Sequence, residues 1–315
     1  CEFSYRACNY CLSQSSLPLG TMRNGFVGKM DQSLNGSNLA KIEFFRRIMK
    51  SHGQLLTPPV SVVDVGASPI NRPNYQSIVD AELCHVYGFE PNQAQFKKLQ
   101  AEGKEFETYV QKAAGNGTNI TLRIYRSPGL TSQFLPNAIN MRLLGMFHWP
   151  HISEEVEMST SRLDDVEEVQ ACDYLKIDIQ GGEHSVFQGA SNTLASCVLV
   201  TTEVRYLSLY ENEPMFGDVD RILRQNGFVL HKFDFNKSMA VHNSQSAKIR
   251  DKRVADQLVD GDATYIRDLN TIANWNTEKV LSLAILSSMV IESHSVCIYA
   301  LDELVRRGAL DASVP

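Results

Sequence analysis

Between Pro59 and Ile266 the chain alternates short apolar, β-rich runs with stretches whose apolar residues recur at helical spacing, which predicts a mostly parallel sheet with right-handed crossovers. Val60 to Val65 predicts the first strand and Asn74 to Leu83 the first helix. His85 to Glu90 and Asn92 to Ala101 repeat the pair, with Phe96 and Leu99 turned inward. Phe106 to Lys112 and Ile120 to Tyr125 predict two more strands, joined through the Gly115-Asn116-Gly117 turn. Residues 126 to 155 hold no simple period and carry Pro136, Trp149 and Pro150; so long a connection inside a compact domain is usually functional or mobile. Its Phe134, Met141, Met146, Phe147 and Trp149 suit a lid that excludes water, or plain core. Tyr174 to Ile179, Val198 to Val204, Phe228 to Phe235 and Ala263 to Ile266 predict the remaining strands, with helices opening at Gly181-Gly182 and running from Met215 to Gln225.

Residues 1 to 36 mix Ser, Asn, Gly and Cys without period and read as a flexible lead-in. Ser37 or Asn38 then caps a predicted helix in which Leu39, Ile42, Phe44, Phe45 and Ile48 fall near helical spacing, with Gly53 as its stop. At the other end, Glu278 to Arg307 predicts two amphipathic helices. Leu281, Ala284, Ile285, Met289 and Ile291 lie close to one face, Leu301, Leu304 and Val305 on another, and core packing or a homodimer surface accounts for them equally. The pattern divides the chain into a flexible segment (1–36), an N-terminal helix (37–57), an α/β domain (58–268) and a helical C-terminal extension (269–315).

The most informative chemistry sits at the ends of the first two strands. The first closes on Asp64-Val65-Gly66-Ala67-Ser68, and the second closes on Gly88-Phe89-Glu90-Pro91, with Glu90 lying 26 positions after Asp64. In an open parallel sheet, ligands bind beyond the carboxyl ends of the strands where strand order reverses. Gly66 lets the backbone approach a ligand, and Glu90 on the neighbouring strand is placed to accept hydrogen bonds from both ribose hydroxyls. A dinucleotide's pyrophosphate wants G-x-G-x-x-G opening a helix, whereas this loop reads Gly66-Ala67-Ser68-Pro69-Ile70-Asn71. The missing glycines favour S-adenosylmethionine, which carries no phosphate and whose ammonium end Asp64 is a candidate to organise. The bland alternative is that Asp64 and Glu90 only end strands.

A second constellation is Asp173-Tyr174-Leu175-Lys176-Ile177-Asp178-Ile179-Gln180-Gly181-Gly182-Glu183-His184. A Lys and an Asp inside an apolar strand are costly unless paired or set at the ligand edge of the sheet. Asp178 then faces the cleft, Glu183 opens a helix at its positive dipole end, and Glu203 arrives from the next strand on the same rim. Each of these carboxylates, taken alone, also reads as a cap or a solvated strand end.

These runs, with Ser161-Arg162-Leu163-Asp164-Asp165, Gly189-Ala190 and Thr202-Glu203-Val204, resemble the FkbM family of class I S-adenosylmethionine-dependent methyltransferases over about residues 58 to 305. The resemblance implies a Rossmann-like, doubly wound α/β fold with helices on both faces of a mostly parallel sheet, and methyl transfer to a hydroxyl oxygen of a sugar or secondary metabolite. It assigns Asp64, Gly66 and Glu90 to the cofactor site, together with their neighbours Ala67, Ser68 and Pro91, and it assigns Asp178 and Glu183 to the reacting rim. Many relatives carry another glycine where this chain has Ser68-Pro69-Ile70, and His184 stands where an apolar residue is commoner. A sulfonium is an activated donor, so positioning supplies much of the rate and a base near the acceptor hydroxyl supplies more. The candidates for that base are Asp178, Glu183, His184 and Glu203. For His184 a solvent-facing helix position is the plainer reading. Asp178 and Glu203 also leave room for a divalent cation. His148 and His151, separated by Pro150, line a loop better than they ligate a metal.

Composition narrows the partners. The 315 residues carry 30 Lys and Arg against 36 Asp and Glu, a formal charge of −6, which argues against a phosphate backbone as partner. The longest nearly apolar stretch, Val280 to Ile291, is too short to span a bilayer. No signal peptide is visible, although a chain opening on Cys1 implies a start trimmed or processed. Of seven cysteines, Cys84, Cys172, Cys197 and Cys297 sit singly in apolar runs as free thiols do, which fits a reducing, cytoplasmic setting. Cys1, Cys8 and Cys11 supply only three thiolates where a closed zinc site needs four. The expected partner is therefore a small-molecule or glycan acceptor. A nicotinamide-dependent oxidoreductase and a non-catalytic scaffold of the same fold are the rivals.

Overall fold

The computed structural model describes residues 39–49, 60–68, 72–125, 130–149, 151–248 and 252–312. The expected lead-in with Cys1, Cys8 and Cys11, the cap at Ser37 or Asn38, the stop at Gly53, and Pro69, Ile70, Asn71 and Pro150 lie outside those residues. In chain order the elements are α1 (39–49), β1 (Val60–Val65), α2 (Gln76–Asp80), β2 (Cys84–Phe89), α3 (Gln93–Glu102), β3 (Glu107–Val110) and β4 (Ala113–Ala114). There follow β5 (Asn119–Tyr125), α4 (Ala138–Leu143), β6 (Ile152–Ser161), β7 (Tyr174–Ile177), α5 (Glu183–Gln188), α6 (Ser191–Ser196) and β8 (Leu199–Arg205). Last come α7 (Phe216–Gln225), β9 (Phe228–Met239), β10 (Gln257–Arg267), α8 (Thr277–Met289) and α9 (His294–Arg306).

A seven-stranded sheet runs in the order β3-β2-β1-β7-β8-β10-β9, parallel except for β10, which is antiparallel to both its neighbours. The order reverses between β1 and β7, so the ends of these two strands flank the switch point. This is the doubly wound, mostly parallel architecture that the apolar pattern predicts. Side chains alternate across a sheet, and the register therefore stacks residues into rows. On one face Val86, Val62, Tyr174, Leu199 and Ile266 form a continuous apolar row, covered by α1, α2, α8 and α9. The opposite face packs Val63, Val65, Leu175, Ile177 and Val200 against α5, α6 and α7.

Two residues further along the first face, the row turns polar. Tyr109, Gly88, Asp64, Lys176, Thr201, Thr264 and Lys232 stand abreast on the seven strands. The boundary between the two rows is where the covering helices stop and the functional groove begins.

Several elements depart from the sequence expectation. The first helix is a five-residue turn and a half, Gln76–Asp80, because Asn74 and Tyr75 form the turn ahead of it and Glu82 adopts a left-handed backbone at φ 56°. Strand β5 leaves the main sheet and pairs antiparallel with the ten-residue β6, which also holds β4. Most of β6 is solvated and only Thr160 is buried, so no apolar run announces it. Met141 and Met146 are buried with Tyr125, Leu130, Leu144, Leu209 and Tyr210 in a third cluster, so they act as core, while Phe147 stays exposed. Helix α8 is not amphipathic: Val280 through Met289 are all buried. Lys279 holds its start against the sheet through Asp173 at 2.7 Å, and Asp173 also accepts the Ser61 N–H of β1 at 2.8 Å.

Candidate functional site

Two cavities meet at Gly66, just past the end of β1. The larger, about 750 Å3, lies over the polar row and is lined on one side by Asp64, Ala67, Ser68 and Tyr109. Its other side is formed by Lys176, Asp178, Glu203, Asp234 and Asp262. The smaller, about 80 Å3, is an apolar slot formed by Phe89, Pro91, Ala113, Ala114 and Ile179, with Gly182 and Ser185 of the α5 turn at its edge. Both therefore open at the switch point.

The bend after β1 is built by close backbone packing. Gly66 has φ +89°, and a Cβ there would sit 2.3 Å from the Asp178 carbonyl oxygen, so the protein's own β7 fills the space that the missing side chain leaves. The N–H groups of Gly66 and Ala67 both donate to the Phe89 carbonyl, at 3.2 and 3.0 Å, and tie the bend to the end of β2. This brings Gly66, Ala67 and Ser68 to the cavity wall.

Asp64 is buried with both oxygens engaged. Lys176 Nζ lies 3.0 Å from Oδ1 and the Tyr75 hydroxyl donates to Oδ2 at 2.5 Å. Burial alone lowers the affinity of Lys176 for its proton, but Asp64 and Asp178 outweigh that and raise it. Burial, then the Asp64 charge, pushes the Tyr75 phenol well up. Lysine and tyrosine thus remain protonated donors holding one carboxylate. Tyr109 lies flat enough on β2 that a Cβ on Gly88 would meet its ring at 2.6 Å.

The remaining expected residues divide into groups. Asp178 is exposed to the large cavity and receives Gln180 Nε2 at 3.3 Å. Glu203 lines the same cavity with its oxygens 3.1 and 3.2 Å from the Arg205 guanidinium, while burial still raises its carboxyl well above the usual range. Arg205, buried to 4% exposure, also meets Asp260 at 3.1 Å and Gln180 Oε1 at 2.8 Å. Glu90 lines neither cavity but stands between two residues of the slot, Phe89 and Pro91. Its carboxylate accepts the Asn92 N–H at 2.7 Å, and burial raises its proton affinity.

Glu183 is turned away from the groove. Its Oε1 accepts the N–H groups of Ile179 and Gly181, each at 3.1 Å, and it closes the turn in which Gln180 and Gly181 take positive φ. His184 is part-buried and lines neither cavity. Among the described residues no group of three or more His, Cys, Asp or Glu side chains is placed to hold a metal ion, and His148 and His151 are both exposed.

Sequence reasoning missed Tyr75, Tyr109, Arg205, Asp234 and Asp262. The available signal for the last was the spacing Asp260-Gly261-Asp262-Ala263, two acidic residues on one face of a strand that was expected to begin only at Ala263.

No curated protein matches the chain at a significant level. Solved structures with a partial likeness include a putative methyltransferase from Thermoplasma acidophilum, 10% identical, with a TM-score of 0.34 over 68% of this chain and 70% of that one. A putative S-adenosylmethionine dependent methyltransferase from Listeria monocytogenes is 8% identical, with a TM-score of 0.34 over 70% and 98%. A precorrin-6y C5,15-methyltransferase from Geobacter metallireducens GS-15 is 11% identical, with a TM-score of 0.31 over 73% and 88%. The decisive finding is a match to the methyltransferase FkbM domain across residues 64–230, more than half of the chain. The chain belongs to the FkbM family of methyltransferases, whose methyl donor is S-adenosylmethionine.

Proposed function

We propose that this protein methylates a hydroxyl oxygen on a small-molecule or glycan acceptor. The observation that carries the reading is the meeting, at Gly66, of an apolar slot beside Glu90 with a wide groove whose β7 to β10 side carries carboxylates and threonine hydroxyls. The residues suit S-adenosylmethionine on chemical grounds. The slot of Phe89, Pro91 and Ile179 takes a flat base, and Glu90 offers acceptors to a ribose. The acidic groove favours a sulfonium and an ammonium, and the protonated Lys176 stands ready for a carboxylate. The groove volume falls within the roughly 300–1,000 Å3 of ordinary ligand sites.

Bound there, the cofactor supplies a methyl carbon already activated by positive sulfur. The chain's own task is orientation and proton handling. Tyr75 and Lys176 fix Asp64, the Gly66 bend holds the cofactor side against β7, and the far wall presents oxygen acceptors suited to hydroxyl protons.

Titration calorimetry with S-adenosylmethionine, S-adenosylhomocysteine and NADH tests the donor. Both sulfur nucleosides should bind and NADH should not. Glu90→Ala should weaken donor binding about tenfold or more, as loss of a bidentate ribose contact does; an unchanged dissociation constant refutes the ribose assignment. Radiolabelled donor incubated with a panel of glycosides and phenols should yield O-methyl products, and exclusive labelling of amines or carbon overturns the hydroxyl reading.

A further inference from the structure

We propose that Asp262 is the catalytic base that takes the acceptor's proton, an assignment that rests on the hydroxyl-methylating reading above. The argument begins with which carboxylates of the groove are already committed. Asp64 is held by Lys176 and Tyr75. Both oxygens of Glu203 face Arg205. Asp234 pairs with Lys232 at 2.8 Å and accepts the Thr264 hydroxyl. Beyond β3, Asp80 pairs with Arg72 and Lys104, and Glu107 accepts the Lys104 N–H. Asp178 is exposed to solvent and receives Gln180. Glu102 and Asp262 line the groove and, among the described residues, accept no hydrogen bond and join no ion pair; Glu102 is exposed at the end of α3, whereas Asp262 is part-buried in the sheet.

Its position is set by register. Asp262 lies opposite Glu203 across β8 and β10, and Glu203 follows Thr202, which pairs with Ile177 just before Asp178. The three acidic residues therefore form a row one step beyond the polar row, on the side of the groove away from Glu90 and the apolar slot. An acceptor lying over β7 to β10 reaches the unpaired carboxylate from the side opposite the donor nucleoside.

The surroundings make that carboxylate basic. Burial is the largest cause, and Asp178 from the end of β7, Asp234 from β9 and Asp260 from its own strand add to it, while Lys176 opposes; the carboxyl is pushed up to about 6. The other charged neighbours are spoken for. Arg205 lies among Glu203, Asp260 and Glu213, Lys237 meets Asp260 at 3.2 Å, and Lys232 holds Asp234. A carboxylate in this state is ionised at neutral pH yet keeps appreciable proton affinity, which is what a general base needs.

In balance, the acceptor O–H gives its proton to an Asp262 oxygen as the acceptor oxygen bonds to the methyl carbon. The carbon–sulfur bond breaks and its electron pair stays on sulfur, leaving a neutral thioether, a methyl ether and a protonated Asp262 that loses its proton to water.

The test compares wild type, Asp262→Asn and Asp262→Glu, using radiolabelled S-adenosylmethionine and methyl β-D-glucopyranoside and phenol as probe acceptors, in single turnovers from pH 5 to 8. Wild type should show a rate that rises to a plateau through about pH 6. Asp262→Asn should lose about a hundredfold or more and lose that rise, with calorimetric donor affinity unchanged; Asp262→Glu should restore part of both.

Melting of the unliganded proteins gives a second readout. The advantage of Asp262→Asn over wild type should grow from pH 4 to pH 6 and then level off, because only wild type carries the buried charge. An Asp262→Asn rate within threefold of wild type, a flat wild-type profile, or a melting difference independent of pH overturns the assignment while leaving O-methylation intact. A wild type that binds the donor but labels neither probe removes the hydroxyl reading, and Asp262 as base with it.

Discussion

Asp64 and Lys176 face each other across β1 and β7 at the centre of the polar row, with the Asp64 side chain 4% exposed. Removing one partner of a buried pair leaves the other charge without compensation, a cost of about 3–5 kcal/mol. Lys176→Met should therefore lower unfolding stability in urea by about 3 kcal/mol. Tyr75→Phe, which removes one hydrogen bond and leaves the ion pair, should cost about 1 kcal/mol. Lys176→Met combined with Asp64→Asn should lose less than the two single changes summed, because the second removes the stranded charge; strict additivity would show that the two residues do not act as a pair. Lys176 stood out in the sequence as a charge in an apolar run, and Asp64 as a carboxylate near the end of the first strand. That they answer each other was not legible, because only the strand register brings them opposite. Gly66 was legible as a special position, but what lies against it is the Asp178 carbonyl, which no local pattern encodes.

Between elements, the ties come from residues distant in sequence. Helix α6 begins after Ala190, which has no side-chain acceptor to cap it. Asp164, from the turn after β6, does that work: its oxygens accept the Asn192 and Thr193 N–H groups at 3.0 and 2.8 Å and the Thr193 hydroxyl at 2.9 Å. Asp164→Ala should lower stability by about 1–2 kcal/mol, the range for loss of a helix cap, while leaving donor affinity unchanged. A change below a few tenths, read from urea midpoints, would show that the turn recaps itself. The same scale explains which elements the sequence revealed. Strands β1, β2, β7 and β8 announce themselves by mostly apolar first halves, where both their faces are covered as parallel strands require. Strand β6, solvated along most of its length, and the acidic start of β10 lack that apolar stretch. The start of β10 hides Asp262 for the same reason that makes it useful: a strand that lines a polar groove cannot look like core.

Taken as a whole, the molecule holds two sets of shifted carboxyls, one raised by burial and one lowered by hydrogen bonds from basic side chains, and the two sets titrate in opposite senses. Burial raises Glu90, Glu183, Glu203, Glu213 and Asp262 above the ordinary carboxylate range. For each of these the folded chain binds more protons than the unfolded chain between the ordinary and the raised value. Stability contributed by these groups therefore falls as pH climbs through that interval. Glu303 behaves in reverse: hydrogen bonds from Arg306 and Arg307 hold its carboxyl at about 2, so its contribution is present above the ordinary range and is lost as pH falls toward that value. Acidification from neutrality also discharges part of a formal net charge of −6 and relieves self-repulsion. The melting temperature should thus peak on the acid side of neutrality, higher at pH 5.5 than at pH 8, and drop below pH 4. A scanning-calorimetry series that instead climbs steadily from pH 5 to pH 8 would contradict the groove electrostatics. Catalysis by Asp262 needs the ionised form that the fold disfavours, so the stability this residue contributes should fall up to about pH 6 and level off there, the pH at which turnover reaches the midpoint of its rise. Asp262→Asn should remove its share of the falling limb, leaving that of the other raised carboxyls, and abolish the rise of turnover, trading turnover for stability in a single substitution.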